Sequence, residues 1–333
     1  MAASPVRVPT FCRHNRFIER CLICSREAEE AAAAARPSVR RAPRTTSAPR
    51  RPGTTTRVRA QGAVRVRREL RAEDDGYRSD LVPGLRASAD AERLADEISF
   101  SCARLLVLAA EPPGPYAQAQ ALAVSEPAHA GWICFLSAYL SPLSGDEPFV
   151  GIEAVLAGGD EALADAPLGP RTSHDPSRGA RTLDAYRQWL QRSDDGADPF
   201  AGDPLWSAER RFERLYERLA LPGLTRAARY ELLVSLGRLG ISDVNAGSLN
   251  LVQARGEQTE DATLAAAKRV FGIGDPLLLE RRAAALAAAA DVPLAALDLA
   301  LFNWAAEERA TMGVGHDIRD EAALDGASAA LGA

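Results

Sequence analysis

Apolar residues recur three and four positions apart through most of the chain beyond position 88. Within 88–110, Leu94, Ile98, Leu105 and Leu108 fall on one side of a helix. Glu111-Pro112-Pro113-Gly114 then stops it, because proline cannot continue the hydrogen-bond ladder. The same periodicity predicts helices over 131–140, 151–156, 183–192, 207–220, 225–239, 243–253, 259–271, 276–290 and 293–309. Asp243 and Thr259 are N-cap residue types, and Pro276 and Pro293 suit a first helical turn. Leu294, Leu297, Leu301 and Trp304 form one stripe, which reads as core packing rather than cofactor contact. The alternating segment VRVRREL before them predicts a short strand or hairpin. An all-α body over 64–320 follows, with 321–333 expected as a flexible tail.

Composition supports helices over sheets. Apolar residues make up 47% of the 333, but aromatics only 6%, and much of the apolar share is alanine, a strong helix former. Residues 28–63 are rich in Pro, Ser, Thr and Arg and have almost nothing to bury, so they read as a disordered basic linker that cannot offset its ordering entropy. No apolar run reaches the roughly 18 to 20 residues of a membrane span, and the Arg-rich start lacks the apolar stretch of a secretory signal. A cytoplasmic protein with no membrane partner is expected.

Charge divides the chain sharply. Residues 1–72 hold 17 Arg and 5 Glu, a balance of +12, against −17 over 73–333. The front reads as a polyanion-binding or solubilising arm, and the acidic body argues against a domain coated in phosphate contacts. Lysine occurs once, at Lys268, so Schiff-base chemistry would have to use it or the terminal amine.

Cys12, His14, Cys21 and Cys24 form C-x-H-x6-C-x2-C within residues 1–27. Three thiolates and an imidazole satisfy tetrahedral zinc, and a C-x2-C knuckle turns two thiolates toward one ion. A small zinc knuckle holding structural zinc is the leading reading. Unliganded cysteines and a redox C-x2-C pair are its alternatives. Cys102 and Cys134 lie in apolar helical stretches and read as buried small hydrophobes.

Two segments of the body carry a resemblance. GWICFLSAYLSPLSGDEPFVGIEAVL resembles the helix and polar turn that face DNA in helix-hairpin-helix DNA glycosylases, with Leu140, Ser141 and Asp146 in those places. RYELLVSLGRLGISDVNAGSLNLVQARGEQTEDATLAAAKRVFGIGD resembles that family's hairpin followed by the helix carrying its aspartate. Leu239-Gly240-Ile241-Ser242 stands at the hairpin, where a backbone turn would present N–H groups to a phosphate. Ser242 replaces the second glycine of the family pattern, and an ordinary helical corner is the competing reading. Val244 stands near the place of the lysine used by bifunctional glycosylases, so lyase chemistry is not implied.

Together with FCRHNRF…CLIC, LSAYLSPLSGDEPF, VFGIGDPLLLERR and LALFNWAAEE, these segments resemble the alpha-glutamyl/putrescinyl thymine pyrophosphorylases of clade 3, relatives of the glycosylase superfamily. The resemblance implies a helical glycosylase-like body whose substrate is a modified thymine flipped out of DNA. Pyrophosphate on a hydroxymethyl pyrimidine would be replaced by a small amine co-substrate, or the base would undergo glycosylase-like chemistry. Asp261 is the implied catalytic residue; its competing reading is a first-turn aspartate that complements the helix dipole. Ser141, Ser144, Asp146, Gly240, Ser242 and Asn245 are the implied DNA contacts. The alternative is a non-catalytic nucleic-acid-binding module on the same scaffold, and a helical partner-binding adaptor is a third possibility.

Other polar residues have plainer readings. His174 sits in a solvent-facing turn, and His129 and His316 have no evident partners in the sequence. Arg210, Arg211, Arg214 and Arg218 interleave with Glu209, Glu213 and Glu217, which predicts a solvated, self-paired face. Gly272-Ile273-Gly274 has no preceding strand and reads as a helix-ending turn, not a dinucleotide fingerprint.

Overall fold

The computed structural model describes residues 72–192, 198–252 and 260–333. These belong to one compact unit, Arg67–Ala333. The zinc-knuckle residues Cys12, His14, Cys21 and Cys24, the basic linker and VRVRREL lie outside the described residues.

Every regular element among the described residues is helical: α1 (Ser88–Ala110), α2 (Pro115–Leu122), α3 (Pro127–Leu140), α4 (Val150–Gly158), a 3-10 turn (Gly159–Ala164), α5 (Gly179–Gln191), α6 (Ala208–Arg218), α7 (Arg226–Arg238), α8 (Ala262–Phe271), α9 (Pro276–Ala289), α10 (Leu294–Ala305) and α11 (Glu321–Leu331). None of these helices is long and apolar enough to cross a membrane.

Helix α3 is the centre of the body. All of its residues from Ala130 to Leu140 except Trp132 are buried, and it packs on α2, α4 and α7. Phe135 stacks on Tyr186 of α5, their centroids 4.0 Å apart, with Trp132 and Tyr139 flanking it. The ladder arises because 132, 135 and 139 are separated by three and four residues and share one helical face. On the other side, α1 lies against α10 and α11, and α8 against α10.

Caps set the boundaries where the sequence has them. Thr225, Asp261, Asp275 and Asp320 each accept a hydrogen bond from the backbone N–H three residues on, starting α7, α8, α9 and α11. Gly272 ends α8 at φ +63°, as a left-handed glycine stop should.

Three expectations require correction. Helix α3 begins at Pro127, not 131, because proline fits its first turn. The expected flexible tail is instead α11: it buries Ala323, Ala327 and Leu331 against the body, and Leu331 O accepts a hydrogen bond from Tyr77 Oη at 2.5 Å. The expected helix over 243–253 does not form. Residues 243–252 run without helix, burying Val244, Ala246, Leu249 and Leu251. Their backbone is satisfied from outside, since the Glu280 carboxylate accepts from Leu249 N at 2.8 Å and Leu251 N at 2.6 Å. A segment whose N–H groups find such partners gains nothing from making its own helical ladder.

Candidate active site

A cleft of about 730 Å³ opens between the loop 170–178, the turn 220–225 and the start of α8. Two glycines allow its walls to meet. A Cβ on Gly169 would lie 2.0 Å from Pro142 O, so only glycine lets the loop press onto the end of α3. Gly223 adopts φ +79° beside Thr182, and its missing side chain admits the turn into α7.

Behind the cleft runs a chain of buried ion pairs. Arg104 of α1 pairs with Glu231 of α7, whose other oxygen meets Arg171 Nη1 at 3.3 Å. Arg171 Nη2 pairs with Asp298 of α10. The second oxygen of Asp298 accepts from Arg226 Nη2 at 2.8 Å, and Arg226 Nε lies 3.0 Å from Asp261 Oδ1. Arg104, Arg171, Arg226, Glu231 and Asp298 are all at most 5% exposed. Three guanidiniums face three carboxylates, so the buried charge cancels. Charges removed from water are tolerable only when paired in this way. Burial works to raise the Asp298 carboxyl, but Arg171 and Arg226 outweigh it and hold the group below its ordinary value. Burial likewise opposes the charge on Arg226, and Asp298 and Asp261 override it, so that guanidinium is held more firmly protonated than usual.

Asp261 ends this chain at the cleft wall. Its Oδ1 accepts the Leu264 N–H at 3.0 Å while meeting Arg226, and its side chain is 9% exposed. Oδ2 has no partner among the described residues. Two residues further on, the Thr263 hydroxyl is buried against the same cleft without a hydrogen-bond partner among the described residues. Arg178 and Arg229 add positive charge at the walls, with Asp175 beside Arg178 at 3.8 Å. The α7 and α8 N-termini both open here, and such ends favour negative charge. The cleft therefore combines a fixed carboxylate with surroundings suited to an anion.

His174 is half-buried, with Nδ1 3.2 Å from Tyr139 Oη; burial lowers its pKa, opposed by Asp175. The turn holding it is thus less open than expected. His129 and His316 do have partners, Glu126 at 3.4 Å and the Ser144 carbonyl at 3.0 Å. Cys102 and Cys134 are buried, as their apolar context suggested.

Of the residues singled out from sequence, only Asp261 lines the cleft. Ser141 is buried at the end of α3, and its hydroxyl accepts from Arg171 N at 3.4 Å, so it stands behind the wall. Ser144 Oγ donates to Arg309 O at 2.9 Å, and Asp146 is exposed on the same loop. Gly240, Ser242 and Asn245 form a different corner, where Ser242 Oγ donates to Phe200 O at 3.1 Å and Asn245 N to Ala208 O at 3.2 Å. The hairpin N–H groups turn inward: Gly240 N bonds Gly237 O, and Ile241 N and Ser242 N both reach Leu236 O. They cap α7 instead of facing a phosphate.

Arg171, Arg226, Glu231, Asp298 and Thr263 were not singled out from sequence. A signal existed for some of them. Asp298 in LAALDLALF and Arg104 in SCARLLVL are single charges inside apolar stretches, and a buried charge requires a partner. Arg171 is on a loop with no periodicity to flag it.

The chain matches no protein-family model, no curated protein and no solved structure.

Proposed function

We propose that this protein is a DNA-directed enzyme whose cleft receives a modified thymine extruded from the stack, with Asp261 as the catalytic residue. The observation that carries the reading is the setting of Asp261: a carboxylate on a cleft wall at the start of α8, held by the Leu264 N–H and ion-paired with Arg226 through Oδ1, with Oδ2 unengaged among the described residues. A carboxylate fixed before substrate arrives can take a proton or stabilise developing positive charge without reorganising. In the amine-transfer form of the reaction, an amine nitrogen attacks the base methylene carbon. The carbon–oxygen bond to pyrophosphate breaks, pyrophosphate departs with the electron pair, and Asp261 accepts the nitrogen's proton. A volume of about 730 Å³ is in the usual range for a small-molecule site and suits one nucleotide-sized group.

The proposal includes a divergent helix-hairpin-helix body in which the non-helical chain 243–252 stands in place of the second helix, supported by the order of α7, a left-handed Gly240 turn and an aspartate-led α8. It also includes structural zinc on Cys12, His14, Cys21 and Cys24, supported by the donor set alone; metal analysis of the full chain should give one zinc per chain.

Asp261→Asn keeps a side-chain oxygen for Leu264 N and removes the charge. Turnover on DNA carrying the modified base should fall at least about 100-fold, with DNA affinity nearly unchanged. A second reading, a binding module without chemistry, draws on the capping role that Asp261 already fills. Unchanged turnover in Asp261→Asn would leave Asp261 as a helix cap outside the chemistry, and wild-type protein that binds the DNA and never alters it would favour that module.

A further inference from the structure

The exposed face of α6 presents an arginine every fourth residue, Arg210, Arg214 and Arg218. The self-pairing expected along this helix occurs at Arg214, whose Nη1 meets Glu217 Oε2 at 2.8 Å. Glu213 turns away to accept from Ser248 at 2.8 Å and Asn250 at 3.4 Å, and Arg211 pairs with Asp243. Arg210 and Arg218 therefore meet no carboxylate among the described residues. They lie over indoles instead: Arg210 is 4.8 Å from the Trp206 centroid, with Arg214 at 5.8 Å, and Arg218 is 5.4 Å from that of Trp189. A guanidinium stacked on a ring is held in orientation while its N–H edge stays available for an oxyanion.

A second hollow, about 330 Å³, lies between Trp206 and Arg211, Arg214 and Arg218, with Asp203 and Glu217 also in its wall. The ridge leads somewhere. Ala220 and Leu221, just past Arg218, line the main cleft, and Arg229 of that cleft donates to Tyr216 O of α6 at 3.5 Å.

We propose that the α6 ridge is a track for a nucleic-acid strand, with phosphates on Arg210, Arg214 and Arg218 and a base or sugar in the hollow beside Trp206. The inference rests on the nucleic-acid reading of the cleft, which it extends by naming where the flanking strand runs. Four helical residues advance about 6 Å, close to two base steps of about 3.4 Å each, so successive arginines keep pace with a strand. An acidic peptide would share the charge; a nucleic acid brings a flat ring for the Trp206 hollow along with every phosphate.

The test uses the full chain with Arg210→Gln and Arg218→Gln together, and separately Trp206→Leu. Binding to a labelled single-stranded oligonucleotide is measured across a salt series, with thermal unfolding confirming the fold. The double variant should bind roughly tenfold more weakly at low salt, and its log–log salt slope should be shallower by about 1.4, two contacts at about 0.7 each. The Trp206 variant should weaken binding with little change of slope. Wild-type affinity and slope in the double variant would overturn the track. So would an equal loss of binding to poly-glutamate, which would mark the ridge as a surface for acidic peptides. If the double variant loses slope as expected while Asp261→Asn leaves turnover intact, the track stands and the catalytic reading falls. If the wild-type chain binds no DNA, both fall.

Discussion

Arginine serves two opposite settings in this molecule. Arg104, Arg171 and Arg226 lie inside the fold, each facing carboxylates; Arg210, Arg214 and Arg218 line the surface, facing mainly aromatic rings. Inside, a guanidinium without its carboxylate is a desolvated charge, so the counterion is part of the structure. Outside, water solvates the charge and a ring suffices to orient it. The same side chain is thus committed in one region and available for a ligand in the other.

The largest effect should come from breaking the buried set. Asp298→Ala leaves Arg171 and Arg226 facing each other without their shared carboxylate. Stability in urea should drop by about 3–5 kcal/mol, and a loss below about 1 kcal/mol would show that water reaches the site. Acid should act on the same pair. The Asp298 carboxyl is held below its ordinary value, so its contribution is complete above the unfolded carboxylate range near pH 4 and disappears as pH falls through the lower folded value. Unfolding followed below about pH 4 should therefore show a stability loss that Asp298→Asn lacks. At the small end stands Arg214→Ala. Its pair with Glu217 is exposed on both sides and is worth at most about 0.5 kcal/mol, so thermal unfolding should barely shift.

Much of the fold was legible because alanine-rich apolar periodicity, prolines at first turns and aspartate caps all act locally. Asp275 and Pro276 start α9 as their residue types require. The failures are at places where distant groups decide. Residues 243–252 have N-cap and apolar signals for a helix, yet Glu280, some thirty residues on, takes two of their N–H groups. The two-residue spacings Val244–Ala246 and Leu249–Leu251, both pairs buried, were the local hint of non-helical chain. For the candidate site, Asp261 was singled out through a resemblance; what was locally legible in it is its place at the start of α8, where it is the N-cap. Its partner Arg226 was not legible, since their approach depends on how α7 and α8 pack. The α6 stripe was read as self-paired from spacing alone; the Trp189 ring that takes Arg218 belongs to α5, whereas Trp206, four residues before Arg210, was a local signal that the charge spacing passed over.

The buried ionic chain also bears on how the body comes apart. Its six members come from α1, the 170–178 loop, α7, α10 and the start of α8. No one of these segments can detach without stranding an opposite charge in the interior. Partial unfolding that frees α10, for example, takes from Arg171 and Arg226 the carboxylate they share and leaves each with a single partner. The ion pairs therefore bind distant stretches of sequence into one cooperative unit, and intermediate states that keep only some of these helices are penalised electrostatically as well as by lost apolar contact.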